Sequence, residues 1–368
     1  MKFLHTSYAQ RLRFGAGAVA QVGEAAAELE AARVLLVTTS ARRASAAGLK
    51  VAQGLGSLLA TVFDGVRSHV PEAAVQAAIE LARRERIDTV VSFGGGSCAD
   101  LGKAVCLRIE QQDGAPGGTC FARPRIPHIA IPTAYSGAEV TAFFGVTDEA
   151  TRRKTRGGSP TSAPAAVIYD PELTLDLPAR VSAETGMNAL AHCVEGAWSA
   201  TRSAEAEAIG FAGAARIYRA LPRVCAEPAD LAARSDMLAG AMLGGRCLQN
   251  ATMGIHHGLS QMIGARSGIA HGLANALILA HVVRFNAQAA RPTMQQLAVA
   301  FGRADGDVAA AIDELRARLQ LPARLSQCGV SAADIEAVVR ASVGNPYLAN
   351  NPRPVGEAEV RAILGAAF

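Results

Sequence analysis

The stretch VVSFGGGSCADLGKAV, residues 90–105, contains the pattern that decides the fold. An apolar, β-branched run comes first, then the glycines 94–96, then a run with helical character. Glycines let the backbone turn sharply and approach a ligand, and the N–H groups that open the next helix form an anion site. The spacing is neither GxGxxG nor GxxxxGK[ST], so neither standard nucleotide fingerprint applies. The pattern predicts a strand, a loop and a helix capped by Ser97, in which Gly95, Gly96 and Ser97 hold a pyrophosphate; an ordinary glycine turn is the alternative.

Two positions near this unit are further candidates for cofactor contact. Asp100 is either a carboxylate that the dipole of the helix favours in its first turn, or a group that holds a ligand hydroxyl. Thr38 lies in VTTSARR (37–43), which follows the first apolar run, where nucleotide-binding folds place the ribose. No acidic residue ends that run, whereas Arg42 and Arg43 lie nearby. We hypothesise that the cofactor site tolerates a 2′-phosphate.

Strand and helix signals alternate along the first half of the chain. Apolar runs of strand length occur at 33–39, 60–66, 87–93 and 126–133, and helical patterns occur at 40–56 and 71–86. This order predicts a parallel sheet covered by helices. Strand signals stop after about residue 173, and alanine and leucine then recur at helical spacing as far as the tail 354–368. We therefore predict an α/β dinucleotide-binding domain over 1–173 and an all-helical catalytic domain over 174–368.

Composition excludes several classes of protein. The 368 residues carry a net charge of +4, and the densest basic run, TRRKTR (151–156), is too short to indicate a nucleic-acid partner. The N-terminus lacks the apolar core of a signal peptide, and no run of about twenty apolar residues predicts a membrane span. Seven dispersed cysteines without a CxxC pair indicate free thiols in a reducing cytoplasm: Cys98, Cys106, Cys120, Cys193, Cys225, Cys247 and Cys328.

The segment GIHHGLSQMIGARSGIAHG (254–272) contains three histidines in an apolar setting. His257 and His271 are candidates to hold a metal or to move a proton, whereas we interpret His256 as structural. Upstream, Asn188 and His192 are four residues apart, so a helix presents both on one face.

A series of motifs in one order spans nearly the whole chain and resembles the iron-containing alcohol dehydrogenase superfamily. The motifs are FGAG (14–17), FDGV (63–66), FGGGSCADLGKA (93–104), IPTAYSGAEVT (131–141), VIYDPEL (167–173), GMNALAHCVEG (186–196), GIHHGL (254–259) and AHGLANALILAHVVRFN (270–286). The resemblance implies the dehydroquinate synthase-like fold of that family, a homodimer, and hydride transfer from NADH or NADPH in the cleft between the two domains. It also implies that Thr133, Tyr135 and Lys154 line the cofactor site.

In the metal-dependent members an aspartate and three histidines surround Fe²⁺ or Zn²⁺, and the matching positions here are Asn188, His192, His257 and His271. An amide offers a neutral oxygen where such sites generally gain from a carboxylate. Three imidazoles still hold zinc in some proteins, so a metal-dependent alcohol or aldehyde dehydrogenase is one alternative. A catalytically silent nucleotide-binding member is another. We predict that no metal is required.

The amide, together with NALAH (188–192), IPTAYSGAE (131–139) and the HH pair (256–257), resembles the maleylacetate reductase branch. That branch often continues HHKLCH, whereas this chain has Gly258 and Gln261 in place of the lysine and the last histidine. The resemblance implies reduction of the C=C of a 4-oxo-enoate dicarboxylate in the degradation of aromatic compounds.

Reduction of a conjugated enone delocalises charge as an enolate, which hydrogen-bond donors stabilise without a Lewis acid. We hypothesise that His192, His257 and His271 polarise the carbonyl, that one of them supplies the proton, and that Asn188 orients them or the substrate. Arg246 and Arg266 flank the histidine segment and are candidates to meet the substrate carboxylates, or else ordinary surface arginines.

Overall fold

The computed structural model describes residues 3–115, 118–119, 121–150 and 153–368. The chain divides into two compact units, Thr6–Asp176 and Leu177–Phe368, and residues 3–5 belong to the second unit. His5 lies there because its Nδ1 is 2.9 Å from Ser203 Oγ and its Nε2 is 3.1 Å from Glu205. The domain boundary after residue 173 stays a prediction.

The described residues of the first unit form eight strands. In chain order they are β1 (Arg11–Phe14), β2 (Val34–Val37), β3 (Leu59–Phe63), β4 (Thr89–Gly94), β5 (His128–Pro132), β6 (Phe143–Asp148), β7 (Arg153–Gly158) and β8 (Ala166–Tyr169). Six of them form one parallel sheet in the order β1-β8-β5-β4-β2-β3, and β6 and β7 form an antiparallel pair. β2, β4 and β5 are buried along their whole length, as continuous apolar runs predict.

Helices cover this sheet and close two apolar cores. They are α1 (Val22–Glu28), α2 (Ser40–Ala44), α3 (Ala46–Leu55), α4 (Glu72–Arg84) and α5 (Gly96–Gln112). One core contains the apolar residues of α4 and α5, and the other contains those of α1 and α3. The single helix predicted over 40–56 is two helices, because the Ser45 hydroxyl caps a new start by accepting a hydrogen bond from Gly48 N at 3.1 Å.

The described residues of the second unit form helices joined by loops, with no strand among them. Its helices are α6 (Ala179–Trp198), α7 (Ala204–Ala226), α8 (Leu231–Asn250), α9 (Ile255–Ser267), α10 (His271–Asn286), α11 (Arg291–Phe301), α12 (Val308–Arg318), α13 (Ala332–Ser342), α14 (Pro346–Ala349) and α15 (Glu357–Ala367). The predicted fold class, an α/β N-terminal domain followed by an all-α C-terminal domain, is confirmed.

Glycines allow α7 and α8 to approach α6 closely. A Cβ on Gly244 would lie 2.8 Å from the Ala189 carbonyl oxygen, and one on Gly213 would lie 2.7 Å from Cys193 Sγ. α6 is consequently buried along most of its length, and a buried helix holds its side chains in defined positions.

The structure also bears on two predictions that were made from composition, on membrane spans and on cysteines. No helix in the described part of the chain is both long and apolar enough to cross a bilayer. The six described cysteines are free thiols, and Cys120 lies outside the described residues, as do Thr151 and Arg152 of the basic run.

Candidate active site

The carboxyl ends of β2 and β4 form the switch point of the sheet. β2 leads through α2 and α3 to β3 on one side, whereas β4 leads through α5 to β5 on the other side. Ligands of open α/β sheets bind outside the strand ends at such a point. Thr38 joins the two ends, because its buried hydroxyl donates a hydrogen bond of 2.8 Å to the Phe93 carbonyl oxygen. Thr38 therefore supports the loops of this point.

The glycine loop opens α5 with its backbone uncovered by a side-chain cap. Gly94 has a φ of +149°, and a Cβ there would lie 2.4 Å from Cys98 Sγ, so only glycine fits. The residue that caps α5 is Gly95, whose side chain is a hydrogen atom. The prediction that Ser97 caps the helix is therefore wrong; Ser97 is its second residue, and its N–H is among those that a helix start leaves for an anion.

Thr133 and Tyr135 follow β5, and Thr133 lies against this loop. Thr133 N donates a hydrogen bond of 2.9 Å to the Gly94 carbonyl oxygen, and both side chains are buried. The next residue, Ser136, packs so closely that a Cβ on Gly96 would lie 3.0 Å from its Oγ. The structure thus brings Gly94, Gly96, Thr133 and Ser136 into one region, and Tyr135 lies between the last two along the chain.

Asp100 lies beyond the first turn of α5, and its carboxylate connects Lys103 of the same helix to Gly145 of β6. Its carboxylate is 2.9 Å from Lys103 Nζ and accepts a hydrogen bond of 3.2 Å from Gly145 N in β6. Lys103 is fully buried and also donates to the carbonyl oxygens of Ala138 and Phe143, at 2.9 and 2.5 Å. Sequence reasoning missed Lys103, although a lysine inside an apolar helical run was the available signal.

Lys154 is exposed on β7, opposite Thr147 of β6. Its stem passes over Gly145, where an added Cβ would lie 2.0 Å from Lys154 Cε. Because Gly145 is the residue that Asp100 holds, the structure links the Lys154 hairpin to α5.

Both arginines at the expected ribose position are paired with carboxylates. Arg42 Nη1 lies 2.7 Å from Asp176 Oδ1, and Arg43 Nη1 lies 2.8 Å from Asp64 Oδ2. The carboxylates that pair with these arginines lie outside the run 37–43. Asp64 follows β3, and Asp176 is the last residue of the unit.

Three helices of the second unit bring three histidines together. His192 lies on α6, His257 on α9, and His271 is the first residue of α10. The rings of His192 and His257 are stacked with centroids 4.7 Å apart, and the centroids of His257 and His271 are 6.2 Å apart. Asn188 lies one helical turn before His192 and is buried. We call Asn188 and these three histidines the histidine cluster.

Buried polar atoms mark the histidine cluster as a place for a ligand. Asn188 Oδ1 and His192 Nδ1 are buried and have no hydrogen-bond partner among the described residues. Burial, together with the neighbouring histidines, lowers the pKa of His192 well below its ordinary value, so its imidazole is neutral at pH 7. Buried polar atoms without partners are rare and costly, which points to a partner that arrives with the substrate.

A buried carboxylate that sequence reasoning missed supports the histidine cluster. Glu195, on α6, accepts hydrogen bonds from His256 N at 3.1 Å and from His257 N at 3.1 Å, and its Oε2 is 2.7 Å from His257 Nδ1. Burial raises the pKa of Glu195, and the adjacent His256 opposes that shift. Burial also lowers the pKa of His256 to about 4, while its Nε2 lies 2.9 Å from the Asn275 carbonyl oxygen. The available signal for Glu195 was its position three residues after His192 on the same helix.

The donor set of the histidine cluster differs at one position from the set that the resemblance implies for the metal-dependent members, because Asn188 replaces an aspartate. It offers three imidazoles and one amide oxygen, and it lacks the carboxylate from which a bound cation would gain. Glu195, His256 and His257 bring potential ligand atoms within 4.8 Å of one another. However, the Glu195 oxygens already accept the N–H groups of α9, and His256 Nε2 is bonded to a carbonyl oxygen.

The cations proposed for the substrate carboxylates are already paired. Arg246 Nη2 lies 3.1 Å from Glu205, and Arg266 Nε lies 2.8 Å from Asp334. The position that carries lysine in many maleylacetate reductases is covered by Tyr347, because a Cβ on Gly258 would lie 2.9 Å from Tyr347 Cβ. Gln261 Nε2 is 3.5 Å from the Tyr347 hydroxyl.

Comparison with known proteins identifies the family. Residues 9–171 match the model of the iron-containing alcohol dehydrogenases, and residues 182–368 match that of the C-terminal part of the Fe-containing alcohol dehydrogenase family. The crystal structure of maleylacetate reductase from Agrobacterium tumefaciens superposes with a TM-score of 0.89 at 33% identity, covering 100% of this chain and 98% of that one. The crystal structure of sulfoacetaldehyde reductase from Bifidobacterium kashiwanohense in complex with NAD⁺ gives 0.90 at 26% identity, covering 99% and 98%.

The chain belongs to the iron-containing alcohol dehydrogenase family and is an NAD(P)H-dependent oxidoreductase. Within that family it falls in the maleylacetate reductase branch. The maleylacetate reductase of Rhizobium sp. (strain MTP-10005) is 35% identical to it over 366 residues, which cover 100% of this chain and 97% of the relative. The predicted resemblance is confirmed at both levels.

Proposed function

We propose that this enzyme reduces the C=C of maleylacetate, or of a similar 4-oxo-enoate dicarboxylate, to 3-oxoadipate or its analogue. The observation that carries the proposal is identity of 31–35% over the full length to several curated maleylacetate reductases. The presence of an amide at position 188 supports it, because an enone needs less charge stabilisation at oxygen than a simple ketone does.

The nicotinamide cofactor, NADH or NADPH, supplies the hydride. We propose that the open start of α5 binds its pyrophosphate through the backbone of Gly95, Gly96 and Ser97, since helix starts without a side-chain cap favour anions. Thr133 is bonded to that loop, Tyr135 follows two residues later, and the Thr38 hydroxyl is bonded to Phe93 at the end of β4. We propose that Asp100 acts indirectly: its hydrogen bond from Gly145 N fixes β6 on α5, and β6 pairs with β7, the strand that carries Lys154.

We propose that the histidine cluster stabilises the enolate that forms when hydride adds to the carbon β to the ketone. A proton then adds to the α carbon, which completes the reduction. Hydrogen bonds from imidazole and amide groups in a buried pocket stabilise charge on the enolate oxygen more strongly than they would in water. His192, His257 and His271 are the candidate donors, and Asn188 orients them or the substrate.

We propose further that the reaction needs no metal, that the enzyme is a cytoplasmic homodimer, and that it has no nucleic-acid or membrane partner. The neutral donor set of the histidine cluster supports the first point, and the free thiols support a reducing compartment. Light scattering of the purified protein tests the dimer, and a monomer at micromolar concentration would contradict it.

The decisive experiment follows NADH and NADPH oxidation at 340 nm with maleylacetate before and after exhaustive chelation. We expect turnover that survives removal of metal, with metal content well below one ion per chain. Loss of activity that Fe²⁺ or Zn²⁺ restores would favour the metal-dependent alternative. Nucleotide binding without turnover of enones, ketones or alcohols would favour a silent member of the family.

A further inference from the structure

Glu195 is a fully buried carboxylate that contacts the histidine cluster from behind. Its two oxygens face three N–H positions of α9: the backbone N of His256, the backbone N of His257 and the His257 ring Nδ1, at 3.1, 3.1 and 2.7 Å. The side chain is 0% exposed, so bulk water does not donate hydrogen bonds to these oxygens. The proposed hydride and proton transfers assign no role to this residue.

Two of these contacts make Glu195 the N-terminal cap of α9, although it lies on α6. The cap position of α9 is Gly254, which has no side chain to accept the first N–H groups of the helix. A Cβ on Gly254 would lie 3.0 Å from Glu195 Oε1, so glycine leaves the room that the carboxylate occupies. An anionic group at a helix start also interacts favourably with the helix dipole. Glu195 thereby fixes where α9 begins, and His256 and His257 are the second and third residues of that helix.

The third contact determines which nitrogen of His257 carries hydrogen. His256 Nε2 lies 2.9 Å from the Asn275 carbonyl oxygen, which only accepts, so His256 holds its hydrogen on Nε2 and a lone pair on Nδ1. His257 Nδ1 then faces two acceptors, Glu195 Oε2 at 2.7 Å and His256 Nδ1 at 3.5 Å. A ring nitrogen between two acceptors must be the donor. His257 Nδ1 therefore carries hydrogen, and His257 Nε2 carries the exchangeable lone pair.

We propose that Glu195 is a positioning residue for the reaction: it holds His257 in the Nδ1–H form, so that Nε2 is the atom through which His257 exchanges a proton with the substrate. This inference rests on the proposed function, in which His257 acts on the enolate. In that step hydride from the nicotinamide forms the new C–H bond at the β carbon, and the electron pair of the C=C moves toward the ketone. Solvent first supplies a proton to the lone pair of Nε2, and Glu195 supports the resulting imidazolium through Nδ1–H. Nε2 then gives that proton to the α carbon, which forms the second C–H bond and returns His257 to the neutral Nδ1–H form.

The contact with Glu195 fixes the orientation of the His257 ring and affects both of its nitrogens. Because Nδ1–H stays bonded to Glu195 throughout, proton exchange at Nε2 does not turn the ring. A carboxylate behind an imidazole also raises the basicity of the far nitrogen and fixes its direction, and loss of such a support typically lowers activity without preventing binding. Glu195 itself needs no contact with the substrate.

The substitution Glu195→Gln tests the proposal. Glutamine keeps the shape of the side chain, but an NH₂ group replaces one of the two oxygens that accept hydrogen bonds from α9. The NH₂ group faces either His256 N–H or the His257 nitrogens, so one set of contacts is lost or the His257 ring changes tautomer. The matched control is Asp307→Asn, which makes the same chemical change at the exposed cap of α12, where Asp307 accepts a hydrogen bond from Ala310 N at 2.8 Å. Nothing places Asp307 in the cofactor or substrate site.

The first measurement needs no substrate. Long-range ¹H–¹⁵N spectra of protein with ¹⁵N-labelled histidine rings distinguish the two neutral tautomers, and the His257→Gln variant assigns the His257 signal. We expect the Nδ1–H pattern in the wild-type enzyme. In Glu195→Gln we expect the Nε2–H pattern where the NH₂ group faces the His257 ring, or a shifted Nδ1–H signal where it faces His256 N–H. An Nε2–H pattern in the wild-type enzyme would overturn the proposal even if the variant did not fold.

The second measurement separates positioning from stability. We expect Glu195→Gln to lower kcat on the order of 10- to 100-fold with KM for the substrate unchanged within about twofold, and Asp307→Asn to leave kcat unchanged. A wild-type kcat in Glu195→Gln would overturn the proposal. Absence of maleylacetate turnover by the wild-type enzyme would instead refute the proposed function, and the tautomer spectra would still stand on their own.

Discussion

At the scale of single residues, an amide and three imidazoles replace the charged set that holds a cation in metal-dependent relatives. Asn188 Oδ1 and His192 Nδ1 are buried without a partner among the residues that the structure describes. A neutral pocket of this kind stabilises developing negative charge through hydrogen bonds, since no carboxylate in it competes with the substrate oxygen. Two substitutions test this reading of the cluster.

Substitution of His257 by alanine removes a ring that stacks on His192 and is supported by Glu195. Because a positioned acid–base group contributes about 100-fold or more, we expect kcat/KM for maleylacetate to fall by about that factor. His281→Ala, a change of a half-buried histidine elsewhere on α10, is the control. Equal rates for the two variants, measured by NADH oxidation, would remove His257 from the mechanism.

Substitution of Asn188 by aspartate restores the charged ligand that the metal-dependent members carry. We expect the variant to retain Fe²⁺ or Zn²⁺ more tightly, because an anionic oxygen compensates the charge of the cation. Its reduction of maleylacetate should slow, since a buried carboxylate repels the enolate. Elemental analysis after dialysis against each metal measures the first effect, with Asn350→Asp at the end of α14 as a control. Unchanged metal content would contradict the role given to position 188.

At the scale of secondary-structure elements, the glycine loop and the start of α5 place the cofactor. Gly94 has its positive φ because the chain must turn from β4 into α5 while Cys98 packs beneath it. Thr133 N and the Thr38 hydroxyl then bond to the carbonyl oxygens of residues 94 and 93, which joins three strand ends around that turn.

Substitution of Gly94 by alanine should therefore damage both stability and cofactor binding. We expect the free energy of unfolding to fall by about 1–3 kcal/mol, the range for a residue forced into a sparsely allowed backbone region, and KM for NADH to rise. Gly365→Ala is the control, because Gly365 is exposed on α15 with open space for a Cβ, and alanine there stabilises a helix by up to about 1 kcal/mol. An unchanged KM for NADH would argue against this loop as the pyrophosphate site.

The packing of α5 on β5 predicts how the stability of the enzyme depends on pH. Burial lowers the pKa of His128 to about 3, and its Nε2 lies 2.7 Å from Ser92 Oγ. An unfolded histidine has a pKa of about 6.5, so between these values the unfolded chain binds more protons and stability falls as pH decreases. We expect His128 to account for about 2 kcal/mol of the loss between pH 7 and pH 5.

Urea unfolding at the two pH values measures this loss. His128→Gln keeps a hydrogen-bonding group near Ser92 but does not titrate, so its stability should change less between pH 7 and pH 5 than that of the wild-type enzyme. Equal slopes for the two proteins would show that His128 is protonated in the folded state or does not contribute.

At the scale of the whole molecule, each of the two units is held together by a different kind of contact. In the unit Thr6–Asp176, parallel strands carry apolar residues into cores on both faces. In the helical unit, small residues such as Gly213 and Gly244 bring helices together around α6, which carries Asn188, His192 and Glu195. Both kinds of contact have strong local signatures, and so the fold class was predictable.

The missed elements have weak signatures for a physical reason. β1 is a four-residue strand in which apolar residues alternate with arginines, and β6 and β7 pair with each other outside the main sheet. β8 is the exception, because it is a buried apolar run like β2 and its signal was available. Short strands depend on their neighbours for stability, so local sequence carries little of the information. The break at Ser45 was also missed, because the helical pattern continues through it.

The sequence by itself determined the parallel sheet, the helical second half, the glycine loop and the family, because apolar periodicity and motif spacing are local properties. Only the tertiary structure decided the partners of the charged side chains. Asp100 binds Lys103 and Gly145 N, Arg42 pairs with Asp176, and Glu195 accepts the first N–H groups of α9. Apart from Asp100 with Lys103, these partners lie 45 to 134 residues apart along the chain. A buried charge takes whichever N–H groups the packing of helices brings to it, and that packing is a property of the whole fold.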